Sequence, residues 1–173
     1  KHKDGVPIIV EGKPSKTIRV LLTCQDVDQG ISSRESEENV EQSFAMEKHL
    51  EEFIVDNWIS TEFGKSYDIY DEDPDRPGQQ FPTDTGRIDI LALSKDKKSL
   101  LVLELKKGRA SDAAVGQILR YINFVQEEIA KPGQSVKGVI IALDDDQRIR
   151  RALAITPSID FCRYQIRFSL VKN

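Results

Sequence analysis

Two β-rich runs, Arg87–Leu93 and Leu100–Lys106, flank the loop Lys95-Asp96-Lys97-Lys98, and this pair constrains the fold more than any other segment. Apolar runs this close, joined by a short polar loop, read as an antiparallel hairpin. If Ser94 pairs with Ser99, paired positions sum to 193 and Asp89 stands opposite Glu104. Strand side chains alternate, so Glu104 and Lys106 share that face. Like charges directly opposite destabilise a sheet, and buried unpaired carboxylates are expensive. A divalent cation between them removes both problems, and Mg²⁺ suits one or two carboxylates plus water and phosphate oxygens. Lys106, one pleat along, is placed to balance a phosphate or orient an attacking water. A one-residue slip would destroy this geometry, and a solvated Glu104–Lys106 rim pair is the structural alternative.

A helix follows the hairpin. Ser111 or Asp112 can cap it, and Val115, Ile118, Ile122, Val125 and Ile129 form its core stripe. It is expected to run to about Lys131, before Pro132-Gly133. Gln117, Arg120 and Tyr121 lie at i, i+3 and i+4, on a face expected to differ from the stripe. Such a face suits a water, a phosphate or a base; a solvated side with a half-packed tyrosine is the alternative.

The flanking segments complete a mixed α/β pattern. Ser43–Trp58 is amphipathic through Phe44, Leu50, Phe53, Ile54 and Trp58. Tyr67–Tyr70 is a short strand, followed by an acidic loop with Pro74, Pro77 and Gly78. Val136–Leu143 reads as a buried strand, Asp144–Ala154 as a helix and Phe161–Val171 as a last strand. The order from residue 41 is α-β-β-β-α-β-α-β around one sheet. Before it, Val6–Val10 and Ile18–Cys24 flank a turn at Gly12-Lys13-Pro14, and 26–39 is a polar linker. The chain thus divides into an N-terminal β extension and linker, 1–40, and a domain at 41–173. The open edge of the extension suits a homodimer.

Composition excludes several classes. Lys plus Arg is 25 against 29 Asp plus Glu, a net charge of −4, which argues against a polybasic arm or a membrane-surface patch. No apolar run approaches the roughly 18 residues of a membrane span. Cys24 and Cys162 are far apart without metal-ligand spacing, so no disulfide framework is expected and a cytoplasmic setting is preferred. Gly64-Lys65-Ser66 lacks the earlier P-loop glycine. Asp71, Asp73 and Asp75 resemble a calcium loop, but Arg76 replaces its glycine. His2 and His49 are the only histidines, which leaves a His-based triad or zinc site unsupported.

Gly86-Arg87-Ile88-Asp89-Ile90-Leu91, Leu103-Glu104-Leu105-Lys106-Lys107-Gly108-Arg109-Ala110 and Val115-Gly116-Gln117-Ile118-Leu119-Arg120-Tyr121 together resemble the PD-(D/E)XK nuclease superfamily. They are most similar to its NucS/EndoMS-like and RecB-like branch. The resemblance covers about residues 41–173, and Ile88 replaces the family's common proline. It implies a restriction-endonuclease-like core and hydrolysis of DNA phosphodiester bonds, with Mg²⁺ or Mn²⁺ as cofactor. A catalytically inactive nucleic-acid-binding module of the same fold is the alternative. By this resemblance Asp89 and Glu104 are metal ligands with the Leu105 carbonyl as a third, and Lys106 is the catalytic lysine. Gln117 and Tyr121 support the site or the nucleic acid. Glu47 is the better match to the family's first-helix glutamate, and Glu51 the alternative. Arg87, Lys107, Arg109 and Arg120 are candidate nucleic-acid contacts, as are Arg148, Arg150 and Arg151 near the cleft.

Overall fold

A computed structural model describes residues 8–11, 18–24 and 40–168, with side chains over 47–165. The Gly12-Lys13-Pro14 turn, the 26–39 linker and the Phe44 side chain lie outside the described residues. The elements are β1 (Ile8–Glu11), β2 (Ile18–Cys24), α1 (Val40–Asp56), α2 (Glu62–Ser66), β3 (Tyr67–Ile69) and β4 (Gln79–Thr83). They continue through β5 (Gly86–Ser94), β6 (Ser99–Arg109), α3 (Asp112–Phe124), β7 (Ser135–Asp144), α4 (Gln147–Ala154) and β8 (Ile159–Phe168).

The eight described strands form one mixed sheet in the order β1-β2-β8-β7-β6-β5-β3, with β4 pairing the N-terminal half of β5. β6, β7 and β8 run parallel, and β2 joins β8 antiparallel over seven residue pairs. The expected α/β order is therefore present, with α2 and β4 added. β4 escaped the sequence pattern because Pro82 interrupts it and only Phe81 is buried.

Two cores cover the sheet. α3 and α4 close one face over Leu91, Leu93, Val102, Ile118, Ile140 and Phe161. α1 closes the other through Leu50 and Ile54, with Trp58 just after it, against Ile90, Leu101, Leu103 and Ile141. Central strands buried on both sides explain the near-continuous apolar runs. A Cβ on Gly138 would lie 2.8 Å from an Ile118 methyl, so glycine there lets α3 pack closely on β7. The α3 stripe packs as expected, but the regular helix ends at Phe124 and continues as one π turn, Val125–Ile129. Ser111 occupies the N-cap without a side-chain bond, whereas Asp146 caps α4 by accepting from the Ile149 N–H at 2.9 Å.

One expectation is corrected here. Cys162 is disulfide-bonded, and Cys24 lies directly opposite it in the β2–β8 register. Spacing along the chain hid this, because only the sheet topology brings the two positions together. Among the described residues no helix is long and apolar enough to cross a membrane.

Candidate active site

β5 and β6 pair as Ile90↔Leu103, Leu91↔Val102, Ala92↔Leu101 and Leu93↔Leu100, the expected register. The loop fixes it. Ser94 Oγ accepts from the backbone N–H groups of Lys98 and Ser99 at 3.0 and 2.9 Å and donates to Asp96 Oδ1 at 2.7 Å. At the opposite end the paired ladder stops at Ile90↔Leu103. There the Asp89 carboxylate takes the place of a backbone partner, Oδ2 accepting from the Leu105 N–H at 2.7 Å. The alternation of faces also breaks, since Ile88 joins the core of Leu91 and Leu93 rather than that of Ile90 and Ala92. Regular backbone pairing thus gives way beside Asp89 and Glu104 to a carboxylate-to-backbone bond.

Glu104 is only 2% exposed. Its Oε1 accepts from Lys106 Nζ at 2.6 Å, while Oε2 is buried with no hydrogen-bond partner among the described residues. Burial holds the Glu104 carboxyl above the ordinary range against the opposing pull of Lys106. Burial and then the Glu104 charge push Asp89 up to about 7. Burial works to neutralise the Lys106 ammonium, but Glu104, with Glu47 and Asp89, outweighs it and holds its pKa above normal. The centre is thus short of positive charge even with Lys106 ionised. An orphaned carboxylate oxygen beside a second raised carboxyl fits a hard divalent cation. No three Asp, Glu, His or Cys side chains converge among the described residues; two carboxylates plus carbonyl or water oxygens are an ordinary donor set for Mg²⁺ or Mn²⁺.

Helix α1 approaches this point with Glu47 and Glu51, one turn apart on one face. Glu47 Oε1 accepts from the Lys107 N–H at 3.1 Å. The carbonyl of Lys107 accepts from the Tyr164 hydroxyl, so both backbone polar groups of the residue after Lys106 are held. Glu51 is buried and accepts from Gln79 Nε2 at 2.8 Å and from Gln80 Nε2. Gln80 Nε2 also reaches Asp89 Oδ1 at 3.3 Å. Neither glutamine was singled out from the sequence. Gln80 stands at φ +51°, a left-handed conformation uncommon outside glycine, and such strain persists where surrounding contacts over-determine it. The adjacent glutamines carry no periodic signal that would reveal this.

On α3, Gln117 Nε2 donates to the Tyr121 hydroxyl at 3.2 Å. Tyr121 is 4% exposed and belongs to the α3-side core. This corrects its expected separation from the core stripe, because the ring packs with Val115, Ile118 and Val125. Its hydroxyl lies against Gly86, where φ is +148° and a Cβ would approach it to 2.7 Å. Gly86 therefore serves both the turn and the tyrosine. Arg87, Arg109, Arg120, Arg148 and Arg151 are exposed, and Lys107 and Arg150 are half-buried. Arg109 lies 3.6 Å from Asp144. The acidic loop is a plain turn, with Asp73 accepting from the Asp75 N–H and from Arg76.

A family model described as the Endonuclease NucS C-terminal domain matches residues 75–163, just over half of the chain and the whole of the β5–β6–α3 arrangement. The chain belongs to this NucS C-terminal-domain family. Endonuclease NucS of Methanopyrus kandleri is 29% identical over 136 residues, which cover 78% of this chain and 46% of that protein. The chain thus spans less than half the length of this NucS relative. A repair endonuclease from Pyrococcus abyssi superposes with a TM-score of 0.50 at 23% identity, covering 75% of this chain and 49% of that one. EndoMS in a complex with double-stranded DNA superposes at 0.52 and 18% identity, covering 99% and 72%. These likenesses establish the NucS-type fold.

Proposed function

We propose that the chain is the cleaving part of a divalent-metal-dependent DNA endonuclease, hydrolysing phosphodiester bonds where the β5–β6 pairing ends beside Asp89 and Glu104. Kinship with NucS endonucleases and a fold shared with a DNA-bound EndoMS support the substrate class. The observation that carries the reading is the buried, unpartnered Glu104 Oε2 beside Asp89 and Lys106. Asp89 and Glu104, with the Leu105 carbonyl, would hold Mg²⁺ or Mn²⁺. Such an ion supplies Lewis acidity toward a phosphate oxygen and promotes ionisation of water.

The chain's own residues do the rest. Lys106 remains an ammonium, so it donates to phosphate oxygens as negative charge develops there. Glu104 Oε1 aims it. The Leu105 N–H and Gln80 orient Asp89, and the Glu47–Lys107–Tyr164 bonds fix the backbone after Lys106. Gln117 stands on α3 above the buried Tyr121, supporting the site rim. Residues 41–173 are the unit that carries this chemistry, and the 1–40 extension adds the β1 edge, the place for a second copy in a homodimer.

The test uses labelled single-strand, flap, mismatch and plain duplex DNA with Mg²⁺ or Mn²⁺. Cleavage of at least one substrate by the chain is expected, and its loss in Asp89→Ala and Lys106→Ala with folding intact. Undiminished cutting by both variants would remove the proposed site.

A further inference from the structure

At the far end of the parallel strands, the buried Asp145 carboxylate gathers two arginines. Its side chain is 4% exposed. Arg150 binds it through Nε at 2.7 Å and Nη2 at 2.9 Å, and Arg163 Nη2 binds the same Oδ1. Arg150, then Arg163, hold this carboxyl below its ordinary range despite burial, so it stays ionised and anchors both. Two guanidinium groups share this one buried carboxylate. Asp144, partly exposed and 3.8 Å from Arg163, and Asp146, whose carboxylate caps α4, lie beside the pair. The Arg150 and Arg163 side chains are 26% and 34% exposed, so both reach solvent.

Their position relates them to the cleavage site. Lys106, Ala142 and Arg163 are register partners across β6, β7 and β8. Ile140, Ala142 and Phe161 belong to the core under α3 and α4. Glu104 is in register with Ile140 and Phe161, so Lys106 and Arg163, two residues further on, project to that same face. Arg150 comes from α4, whose Ile149 packs into the same core. Two strand spacings put the Arg163 backbone about 10 Å from that of Lys106, a few nucleotides along a polynucleotide.

We propose that Arg150 and Arg163, preset by Asp145, form a second phosphate-binding site that takes a DNA phosphodiester flanking the one cleaved. The proposal rests on the DNA-cleaving reading above. Arginine suits the task because its planar fork can hold a buried carboxylate on one edge and a phosphate on the other.

The full chain is titrated with fluorescent duplex DNA in EDTA at several salt concentrations, and its metal-dependent cleavage of DNA is compared with that of bis(p-nitrophenyl) phosphate, which has no flanking phosphate. Arg163→Gln keeps a donor for Asp145 and removes the charge. It should weaken DNA binding roughly tenfold near 0.1 M salt and reduce the slope of log affinity against log salt by about one. Hydrolysis of the small diester should be unchanged, and Arg163→Lys should restore the slope. Arg150→Gln repeats the test should Arg163→Gln fail to fold. Wild-type affinity and slope in both glutamine variants overturn the second site while leaving the endonuclease reading intact. Wild-type chain that neither binds nor cuts DNA overturns that reading itself, and this proposal with it.

Discussion

The two ends of the β5–β6 hairpin are built from the same strands and do opposite things. At the loop end Ser94 Oγ donates to Asp96 and accepts from two backbone N–H groups, and Lys97 accepts a left-handed conformation to complete the turn. At the other end the ladder stops, a carboxylate replaces a backbone acceptor, and Glu104 keeps a buried oxygen without a hydrogen bond among the described residues. The loop end fixes register, and register places the charges at the site end. Stability is concentrated where the pairing is complete, and unsatisfied chemistry where it stops.

This contrast can be broken most forcefully at the site. Asp89→Ala should reduce metal-dependent DNA cleavage to background, and Lys106→Ala should lower it by roughly a hundred- to a thousandfold, both read in the gel assay with circular dichroism confirming the fold. Gln80→Ala comes next, at about 10- to 100-fold in metal affinity or cleavage rate; wild-type values would remove its role in orienting Asp89.

The pH dependence follows from Asp89. Its carboxyl titrates near 7 in the fold against an ordinary value of 3.8, so its contribution to stability is fully present below pH 3.8 and is lost as pH rises through 7. Without divalent cation, Asp89→Asn should therefore melt progressively higher than wild type between pH 4 and 7.5. Mn²⁺ should narrow that gap by stabilising only the wild type. Identical melting curves across this range would contradict the burial and carboxylate crowding that raise Asp89. The smallest effect belongs to the loop: Asp96→Ala, which loses the bonds to Ser94 Oγ and the Lys98 N–H, should lower the midpoint of a denaturant melt slightly and leave cleavage unchanged.

Much of this contrast was legible in the sequence. The four-residue loop and the flanking apolar runs specify the register found from Leu93↔Leu100 to Ile90↔Leu103, and Asp89 and Glu104 follow one step past its last pair. The partners of Asp89 were not legible, because Gln80 acts through a left-handed backbone on an edge strand that Pro82 disguises. Tyr121 was misplaced for a related reason. Its spacing from Gln117 and Arg120 suggested a separate polar face, yet its ring belongs to the core and its hydroxyl lies against Gly86. That Cys162 stands opposite Cys24 depends on which strands neighbour each other, information that local spacing does not hold.

The claim on which the site stands is that Asp89 and Glu104 share one ion. Calorimetric titration of the full chain with Mn²⁺ in the absence of DNA tests it directly. The account predicts saturable binding in the wild type, lost in both Asp89→Asn and Glu104→Gln; binding of wild-type strength in both single variants would contradict it.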